Sequence, residues 1–312
     1  MPGRRNDAER ISGVIPILPT PFNERGEVDE RDFVRVIDAC LADGVHGVAM
    51  FGLASEAYKL RDEEKKRLAT VLIEHVDGRI PVILSVTHQS TEIAVKEAAW
   101  AEEAGADAVM VMPPYLMSPG EAAVLNHITA VAGAVNLPVI VQYAPLHTGI
   151  GLSPEGLAAI HREQSNVTHV KVDAVPSGPM ITRVHNCSQN SLRSIVGYMG
   201  LHLPDDMRRG VSGVMPTVSL GRVFVRLYEL LCAGRDDEGR KLHHRILPLL
   251  NFMMQSIEMM IAVEKELLVR RGLLHSARCR QPAWTLDAFH RAELEQYVVE
   301  LAEWLAPLSL EE

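Results

Sequence analysis

Glu103-Ala-Gly-Ala-Asp-Ala-Val109 is the stretch that decides the fold, because it ends an amphipathic segment at a glycine and opens an apolar run. Two similar stretches, Ala42-Asp-Gly-Val-His-Gly-Val48 and Arg209-Gly-Val-Ser-Gly-Val214, follow the same pattern. Each places glycine where the C-terminus of a helix needs a left-handed residue. A helix end that recurs just before a strand start indicates a chain built from repeated βα units.

Eight short apolar runs alternate with longer amphipathic segments along the chain. The runs lack alternation of apolar and polar residues, as expected of parallel strands covered on both faces. Eight is also the number of strands that closes a parallel barrel. The predicted strands are Gly13–Leu18, Gly47–Phe51, Pro81–Val86, Ala108–Met112, Pro138–Gln142, Val167–Val172, Ser194–Val196 and Gly213–Met215.

The helical segments continue well beyond the last predicted strand. Apolar residues at helical spacing predict helices over Asp29–Asp43 and Ser90–Ala104 between strands. Long amphipathic segments then fill the C-terminal part, over Leu227–Ala233, Asp236–Arg271 and Leu286–Leu305. One barrel helix does not need so much chain, so the excess predicts a helical extension.

We therefore predict an α/β fold, a (β/α)8 TIM barrel with a helical C-terminal extension. Residues 1–225 would form the barrel, and residues 226–312 the last barrel helix and the extension, all within one continuous domain. An open doubly wound sheet is the alternative. It usually has a glycine-rich phosphate loop after the first strand, which Pro19-Thr-Pro-Phe22 does not resemble.

Composition excludes several classes of function. The formal net charge of the 312 residues is -9 and no basic stripe stands out, which argues against a nucleic-acid partner. The nearest candidate for a membrane span, residues 246–261, is interrupted by polar side chains. No apolar signal-peptide region follows the N-terminus, and the four cysteines lack metal or disulfide spacing. We expect a cytoplasmic protein with no membrane partner.

The most unusual of the apolar runs is Val167-Thr-His-Val-Lys-Val172, because Lys171 lies near the end of a strand predicted to be buried. A buried lysine is costly unless it is paired or has a chemical use. Desolvation lowers the pKa of an amine, which makes it a nucleophile able to form a Schiff base with a ketone. The alternative is structural, with the amine paired to Asp173 or reaching out to solvent.

In a (β/α)8 barrel the active groups gather at the C-terminal ends of the strands. The catalytic candidates found there are Lys171, Tyr143, His88 and His147, since amines, phenols and imidazoles exchange protons. The candidates for substrate binding are Gly52, Leu53, Ala54, Ser55, Tyr115, Gln142, Gly197 and Tyr198.

Structural interpretations stay open for several of these residues. Ser55 has the chemistry of a helix N-cap, and the neighbouring Glu56 that of a first-turn carboxylate. His88 and His147 are equally compatible with histidines that are simply hydrogen-bonded at loop ends.

Several stretches match one known family in the same order. They are Gly13-Val-Ile-Pro-Ile-Leu-Pro-Thr-Pro-Phe22, Gly52-x-x-Ser-Glu56 followed by Leu60-x-x-Glu-Glu-Lys65, Ala104-Gly-Ala-Asp-Ala-Val-Met-Val-Met-Pro-Pro-Tyr115, Lys265-x-x-Leu-x-x-Arg-Gly272 and Arg280-x-Pro282. Over almost its whole length the chain resembles the dihydrodipicolinate synthase / N-acetylneuraminate lyase family. The resemblance implies a barrel that is often assembled as a homotetramer, with Lys171 at the position of the Schiff-base lysine.

The chain departs from the best-known members, which use a proton relay of a threonine and two tyrosines. Leu53-Ala54 replaces the threonine pair, Leu116 replaces one tyrosine, and Gln142 replaces the other, with Tyr143 one residue further on. His147 stands where the synthases have the arginine that binds the distal carboxylate. These replacements argue against dihydrodipicolinate synthase activity.

Three fragments are similar to a divergent branch of the family that includes 2-keto-3-deoxy-L-arabonate dehydratases. They are Thr87-His-Gln-Ser-Thr91, Val109-Met-Val-Met-Pro-Pro-Tyr115 and Val141-Gln-x-Ala-Pro145. This similarity implies elimination of water from a keto-deoxy sugar acid.

We therefore expect a Schiff-base lyase that acts on a small 2-keto acid, and within that class on a 2-keto-3-deoxy sugar acid. Dehydration and aldol cleavage share one enamine, so a pyruvate-dependent aldolase or a condensing enzyme similar to dihydrodipicolinate synthase is an alternative. An alternative of another class is a non-catalytic barrel that binds a keto acid. We expect no metal and no cofactor beyond the lysine imine, because the sequence shows no cluster of His and carboxylate ligands.

Overall fold

A computed structural model describes residues 8–306 of the chain, in which βα units follow one another as predicted. The strands within this range all belong to one sheet, and every register pair is parallel. They are β1 (Gly13–Val14), β2 (Val48–Met50), β3 (Val82–Ser85), β4 (Ala108–Val111), β5 (Val139–Tyr143), β6 (Val167–Val172), β7 (Arg193–Val196) and β8 (Gly213–Val214).

The helices alternate with these strands and continue after them. They are α1 (Glu30–Ala42), α2 (Asp62–Val76), α3 (Thr91–Ala104), α4 (Glu121–Gly133), α5 (Pro145–Thr148), α6 (Pro154–Glu163), α7 (Gly178–Cys187), α8 (Leu203–Arg208), α9 (Gly221–Cys232), α10 (Asp236–Met253), α11 (Ile257–Arg270), α12 (Ala288–Glu300) and α13 (Ala302–Leu305). This order of elements confirms the predicted (β/α)8 barrel with a helical C-terminal extension.

Two predicted elements differ from the structure in a way that the local chemistry explains. The first strand is paired as a strand only over Gly13–Val14, since the prolines that follow lack the N–H that a ladder needs. Within the same run Ile17 forms isolated parallel bridges to Ala49 and Thr217. The helix predicted over Asp236–Arg271 is broken in two, because Ser256 caps α11 by accepting the Met259 N–H at 3.0 Å.

The chain divides into two compact units, which are described separately. The first holds residues 81–214 and the segment up to Ser12, and its strands β3 to β8 pair in sequence order. Its strand β4 is buried along its whole length, as expected of a parallel strand covered on both faces. The second unit holds Gly13–Ile80 and the chain from Met215 onward. The predicted division at residue 225 stays a prediction.

The described helices were also compared with the requirements of a membrane span. No single helix within residues 8–306 is long and apolar enough to cross a bilayer. Helices α10 and α11 meet the length and composition requirement only when taken together, and they are bent by 118° at the break between them.

Candidate active site

A β-bulge in β6 sets the register of Lys171. Val139 of β5 is opposite Val167, but the next residue, Ile140, is opposite His169, so Thr168 is an extra residue in β6. Beyond the bulge Gln142 is opposite Lys171, and Tyr143 is opposite Val172. If the pairing continued from Val139 and Val167 without this shift in register, Tyr143 would lie opposite Lys171.

Lys171 is buried and forms an ion pair with Asp173. The distance from Lys171 Nζ to Asp173 Oδ2 is 2.9 Å, and both side chains are less than a tenth exposed. Gln142 Nε2 donates to the same Asp173 oxygen at 2.7 Å. The structural pairing that the sequence left open is therefore present, and it holds a carboxylate against the candidate nucleophile.

The second oxygen of Asp173 is held by the turn after β7. The Tyr198 N–H donates to Asp173 Oδ1 at 3.0 Å. Tyr198 and Met199 have positive φ angles of 49° and 56°, a conformation that is unusual for side-chain-bearing residues. Because such conformations persist only where the surroundings hold them, this contact marks the turn as a candidate functional segment.

Gly197 lies directly against the ion pair. A Cβ atom at this position would lie 1.7 Å from Asp173 Oδ1 and 2.9 Å from Lys171 Cε. Both separations are shorter than a van der Waals contact, so a residue with a side chain at position 197 must displace Asp173 or Lys171. Gly197 thus contributes space to the site.

His147 lies on the short helix α5, and its ring stacks on the Tyr198 ring. The ring centroids are 6.0 Å apart and the planes are inclined by 20°. Burial lowers the pKa of His147, opposed by the charge of Asp173 and assisted by that of Lys171. The imidazole is therefore biased towards its neutral form, which can exchange hydrogen bonds with a hydroxyl but forms no ion pair with a distal carboxylate.

His88 lies among different residues. Its Nδ1 accepts the Ser90 N–H at 2.9 Å in front of α3. Burial is the main cause that lowers the pKa of the neighbouring His127, and His88 adds to it. His127 in turn makes a 3.0 Å contact with Thr91 Oγ1. His88 is thus part of a group at the start of α3, and its catalytic role stays a prediction.

The two tyrosines of the predicted site are half-buried. Tyr143 is in register with Val172, and neighbours in a strand point to opposite faces, so the register favours Gln142 as the side chain beside Lys171. Tyr115 is followed by Leu116, which is 73% exposed and whose N–H donates to Gln89. The roles predicted for Tyr143 and Tyr115 stay predictions.

Residues 52–55 lie in the second unit. Leu53–Ser55 form a single 3₁₀ turn that begins after Gly52, so the Leu53 and Ala54 N–H groups have no acceptor within the turn. Ser55 is fully buried, and its hydroxyl donates to Leu18 O at 2.6 Å and accepts the Phe51 N–H at 3.1 Å. Ser55 therefore shapes the turn rather than capping a helix, and its side chain is already occupied.

Glu56 is a buried ion-pair partner rather than a first-turn carboxylate. It has a φ angle of 54° and caps the C-terminal end of the 3₁₀ turn. Its carboxylate binds Lys265 Nζ at 2.5 Å, Lys59 Nζ at 3.1 Å and the Arg280 N–H at 3.0 Å. These contacts fix the turn that carries residues 53–55.

One group of potential metal ligands occurs among the described residues. Ligand atoms of Asp29, Asp32 and His275 lie within 4.8 Å of one another. An Asp29 oxygen caps α1, while the Asp32 carboxylate binds Arg35 and also accepts the His275 N–H at 2.7 Å. These contacts engage one oxygen of Asp29 and both oxygens of Asp32.

Sequence reasoning missed Asp173 as a site residue and treated it only as a structural partner of Lys171. The available signal was the spacing, because residues two apart in a strand lie on the same face. Lys171 and Asp173 have this spacing, and the peptide N–H of Asp173 extends the strand by donating to Tyr143 O at 2.8 Å.

Comparison with known proteins agrees with this fold. Residues 10–301 match the family described as "Dihydrodipicolinate synthetase family". The chain is 29% identical over 305 residues to L-2-keto-3-deoxyarabonate dehydratase of Azospirillum brasilense, covering 96% of each chain. It is 31% identical over 243 residues to 4-hydroxy-tetrahydrodipicolinate synthase of Methanopyrus kandleri, covering 77% of this chain and 80% of that one.

Comparison with solved structures points to the same family. The crystal structure of dihydrodipicolinate synthase from Rhodopseudomonas palustris is 26% identical with a TM-score of 0.88, covering 94% of this chain and 98% of that one. A prophage protein of the same family from E. coli K12, solved in complex with pyruvate, is 27% identical with a TM-score of 0.86 and covers 94% and 99%. The chain therefore belongs to the dihydrodipicolinate synthetase family, whose members include lyases and dehydratases.

Proposed function

We propose that this protein is a Schiff-base lyase that acts on a 2-keto-3-deoxy sugar acid. The observation that carries the proposal is the buried amine of Lys171 at the end of β6, 2.9 Å from the Asp173 carboxylate. Lys171 Nζ attacks the C2 ketone of the substrate, and loss of water gives an imine. The carboxylate beside it can accept the proton that the ammonium must lose before attack. It can then return this proton to the hydroxyl group that leaves as water, so Asp173 is a carboxylate again once the protonated imine has formed.

The imine makes the chemistry at C3 accessible. Once protonated it withdraws electrons from C2, so a proton can leave C3, or the C3–C4 bond can break, with the electron pair held as an enamine. Expulsion of the C4 hydroxyl from the enamine gives dehydration, whereas cleavage gives pyruvate and an aldehyde. No step requires a metal or an organic cofactor.

Two observations favour a sugar acid and dehydration. The relative from Azospirillum brasilense is named as an L-2-keto-3-deoxyarabonate dehydratase, and the alignment spans 96% of both chains. In addition, His147 tends to be neutral and stacks on Tyr198 near the ion pair, which suits a substrate that ends in hydroxyl groups. Assembly as a homotetramer in the cytoplasm is part of the same proposal, by family resemblance.

A substrate screen tests the proposal. The protein is incubated with a panel of 2-keto-3-deoxy acids, and release of the dehydrated keto acid is measured separately from release of pyruvate. We expect dehydration of at least one acid and none with Lys171→Ala. Turnover retained by Lys171→Ala would refute the imine mechanism, and a fully inactive wild type that still binds keto acids would favour the non-catalytic barrel.

A further inference from the structure

Elimination of the C4 hydroxyl needs a group that takes a proton from C3 and a group that gives one to the departing oxygen. The hydroxyl groups of the threonine–tyrosine relay are replaced here by Leu53, Leu116 and Gln142. A leucine carries no exchangeable proton and an amide is no useful acid or base. The proton carrier must therefore be another group near Lys171.

Asp173 is in contact with the atom at which the reaction begins. Its Oδ2 lies 2.9 Å from Lys171 Nζ, which becomes the imine nitrogen. C3 of a bound substrate is only two bonds from that nitrogen, so an oxygen in contact with Nζ is also within reach of a hydrogen on C3. None of the other candidate acids or bases has such a contact with Lys171 among the residues that the structure describes.

The surroundings of Asp173 keep its carboxylate in one place. Gln142 Nε2 and the Tyr198 N–H donate to its two oxygens at 2.7 and 3.0 Å, and Gly197 leaves the space that it occupies. When Lys171 becomes an imine, its ammonium no longer holds the carboxylate, while these two donors remain. A base held in this way is positioned before the substrate arrives.

We propose that Asp173 is the acid and base of the elimination, an inference that rests on the function proposed for Lys171. The Asp173 carboxylate takes the proton from C3, and the C3–H electron pair forms the C2=C3 bond as the protonated imine becomes an enamine. The enamine electrons then form C3=C4 while the C4–O bond breaks, and protonated Asp173 gives its proton to the leaving oxygen. Water then hydrolyses the imine, frees Lys171 and releases the unsaturated keto acid.

Gln142 and Tyr198 act as positioning residues in this scheme. Gln142 holds Asp173 through its amide, and it is opposite Lys171 only because Thr168 is an extra residue in β6. The bulge thus selects an amide donor, rather than the Tyr143 phenol, for the place beside the lysine. An amide, unlike a phenol, does not exchange protons with a carboxyl group. The proton taken from C3 therefore stays on Asp173 until it is given to the leaving oxygen.

Pyruvate and heavy water separate the two halves of the scheme. Trapping with borohydride measures the imine, and exchange of the pyruvate methyl hydrogens for deuterium, followed by NMR, measures proton removal at C3. Asp173→Asn keeps the shape of the side chain and can still accept the Tyr198 N–H through Oδ1. The Gln142 amide must turn over so that its oxygen accepts from the new Nδ2. The asparagine cannot take up the proton from C3. We expect it to trap pyruvate at saturation while its exchange rate per trapped imine falls by about 10²–10⁴-fold.

Asp205→Asn is the matched control, because Asp205 is a half-exposed carboxylate of α8 that pairs with Arg208 and Arg209. It should trap and exchange like the wild type. Exchange per imine in Asp173→Asn within about threefold of the wild type would overturn the assignment of Asp173. Loss of trapping in Asp173→Asn would assign it to imine formation and overturn the role at C3. Failure of the wild type to trap pyruvate would refute the Schiff-base function itself.

Discussion

At the scale of single residues, the proposed activity depends on one amine. Lys171→Ala and Lys171→Arg should both abolish turnover, since a guanidinium stays protonated and forms no imine. Lys171→Ala also leaves the buried Asp173 without its cation, so we expect a loss of about 1–3 kcal/mol in unfolding free energy, measured by chemical denaturation. Substantial turnover by either variant would exclude the Schiff-base mechanism.

Gly197 tests whether the position of Asp173 matters. In Gly197→Ala the new Cβ would meet Asp173 Oδ1 and Lys171 Cε, so we expect turnover to fall by about 10²-fold because a small displacement of a reacting group is costly. Gly151→Ala is the control, because a Cβ there would meet nothing within 4 Å. Equal steady-state rates for the two alanine variants would show that Asp173 need not be where the structure has it.

Sequence reasoning predicted part of the candidate site at this scale. Lys171 was recognisable because a lysine in a β-branched run is unusual, and Gln142 because of its place at a strand end. A functional role for Asp173 was not predicted, because a carboxylate two residues from a buried lysine is equally typical of a structural ion pair. The hydroxyl of Ser55 lies buried in a turn between Leu18 and Phe51, which no local pattern reveals.

At the scale of elements, strand and helix types followed from periodicity, but their interruptions did not. The bulge at Thr168 inserts one residue into an otherwise uniform apolar strand, so nothing in the spacing of Val167–Val172 indicates it. The break between α10 and α11 depends on Ser256 acting as a cap, although serine also occurs within helices. Both features depend on tertiary contacts that outweigh local preference.

Helix α8 contains a carboxylate whose burial makes stability depend on pH. Burial raises the pKa of Asp206 to about 6, opposed by the hydrogen bond from Ser177 Oγ at 2.7 Å. Because the folded state binds this proton more tightly than the unfolded state, its stabilising contribution is complete below about pH 4 and is lost as the pH rises through 6. Asp206→Asn should therefore gain about 2–3 kcal/mol over the wild type between pH 4 and pH 7.

Denaturant titrations at several pH values check this difference. Asp62→Asn in α2 provides the baseline, since Asp62 is exposed and its charge is not among those that shift the pKa of Asp206. A stability difference between Asp206→Asn and the wild type that stays flat from pH 4 to pH 7 would show that Asp206 titrates normally.

At the scale of the whole molecule, the eight apolar runs together with the repeated helix-end pattern predicted the barrel, because eight βα units leave few alternative arrangements. The grouping into two compact units at Ser12, Ile80 and Val214 was not predicted. It reflects long-range packing of the C-terminal helices with the N-terminal part of the chain, which composition and spacing do not encode.

The resemblance to the synthases, which places Leu53, Leu116 and Gln142 at the positions of the proton relay, leads to a prediction about the reaction of the whole protein. Leu53, Leu116 and Gln142 offer no hydroxyl to shuttle protons during condensation of pyruvate with aspartate semialdehyde. We expect negligible dihydrodipicolinate synthase activity in a coupled assay. A condensation rate near the usual enzyme range, about 1 per second or more, would contradict the correspondence drawn between these positions and the relay.

The central claim is that Lys171 forms the imine. The most direct measurement is reduction with borohydride in the presence of pyruvate, followed by digestion and mass spectrometry to locate the adduct. The account predicts one reduced pyruvate adduct on the peptide that contains Lys171, and none in Lys171→Ala. An adduct on another lysine, such as the buried Lys265, or no adduct at all, would contradict it.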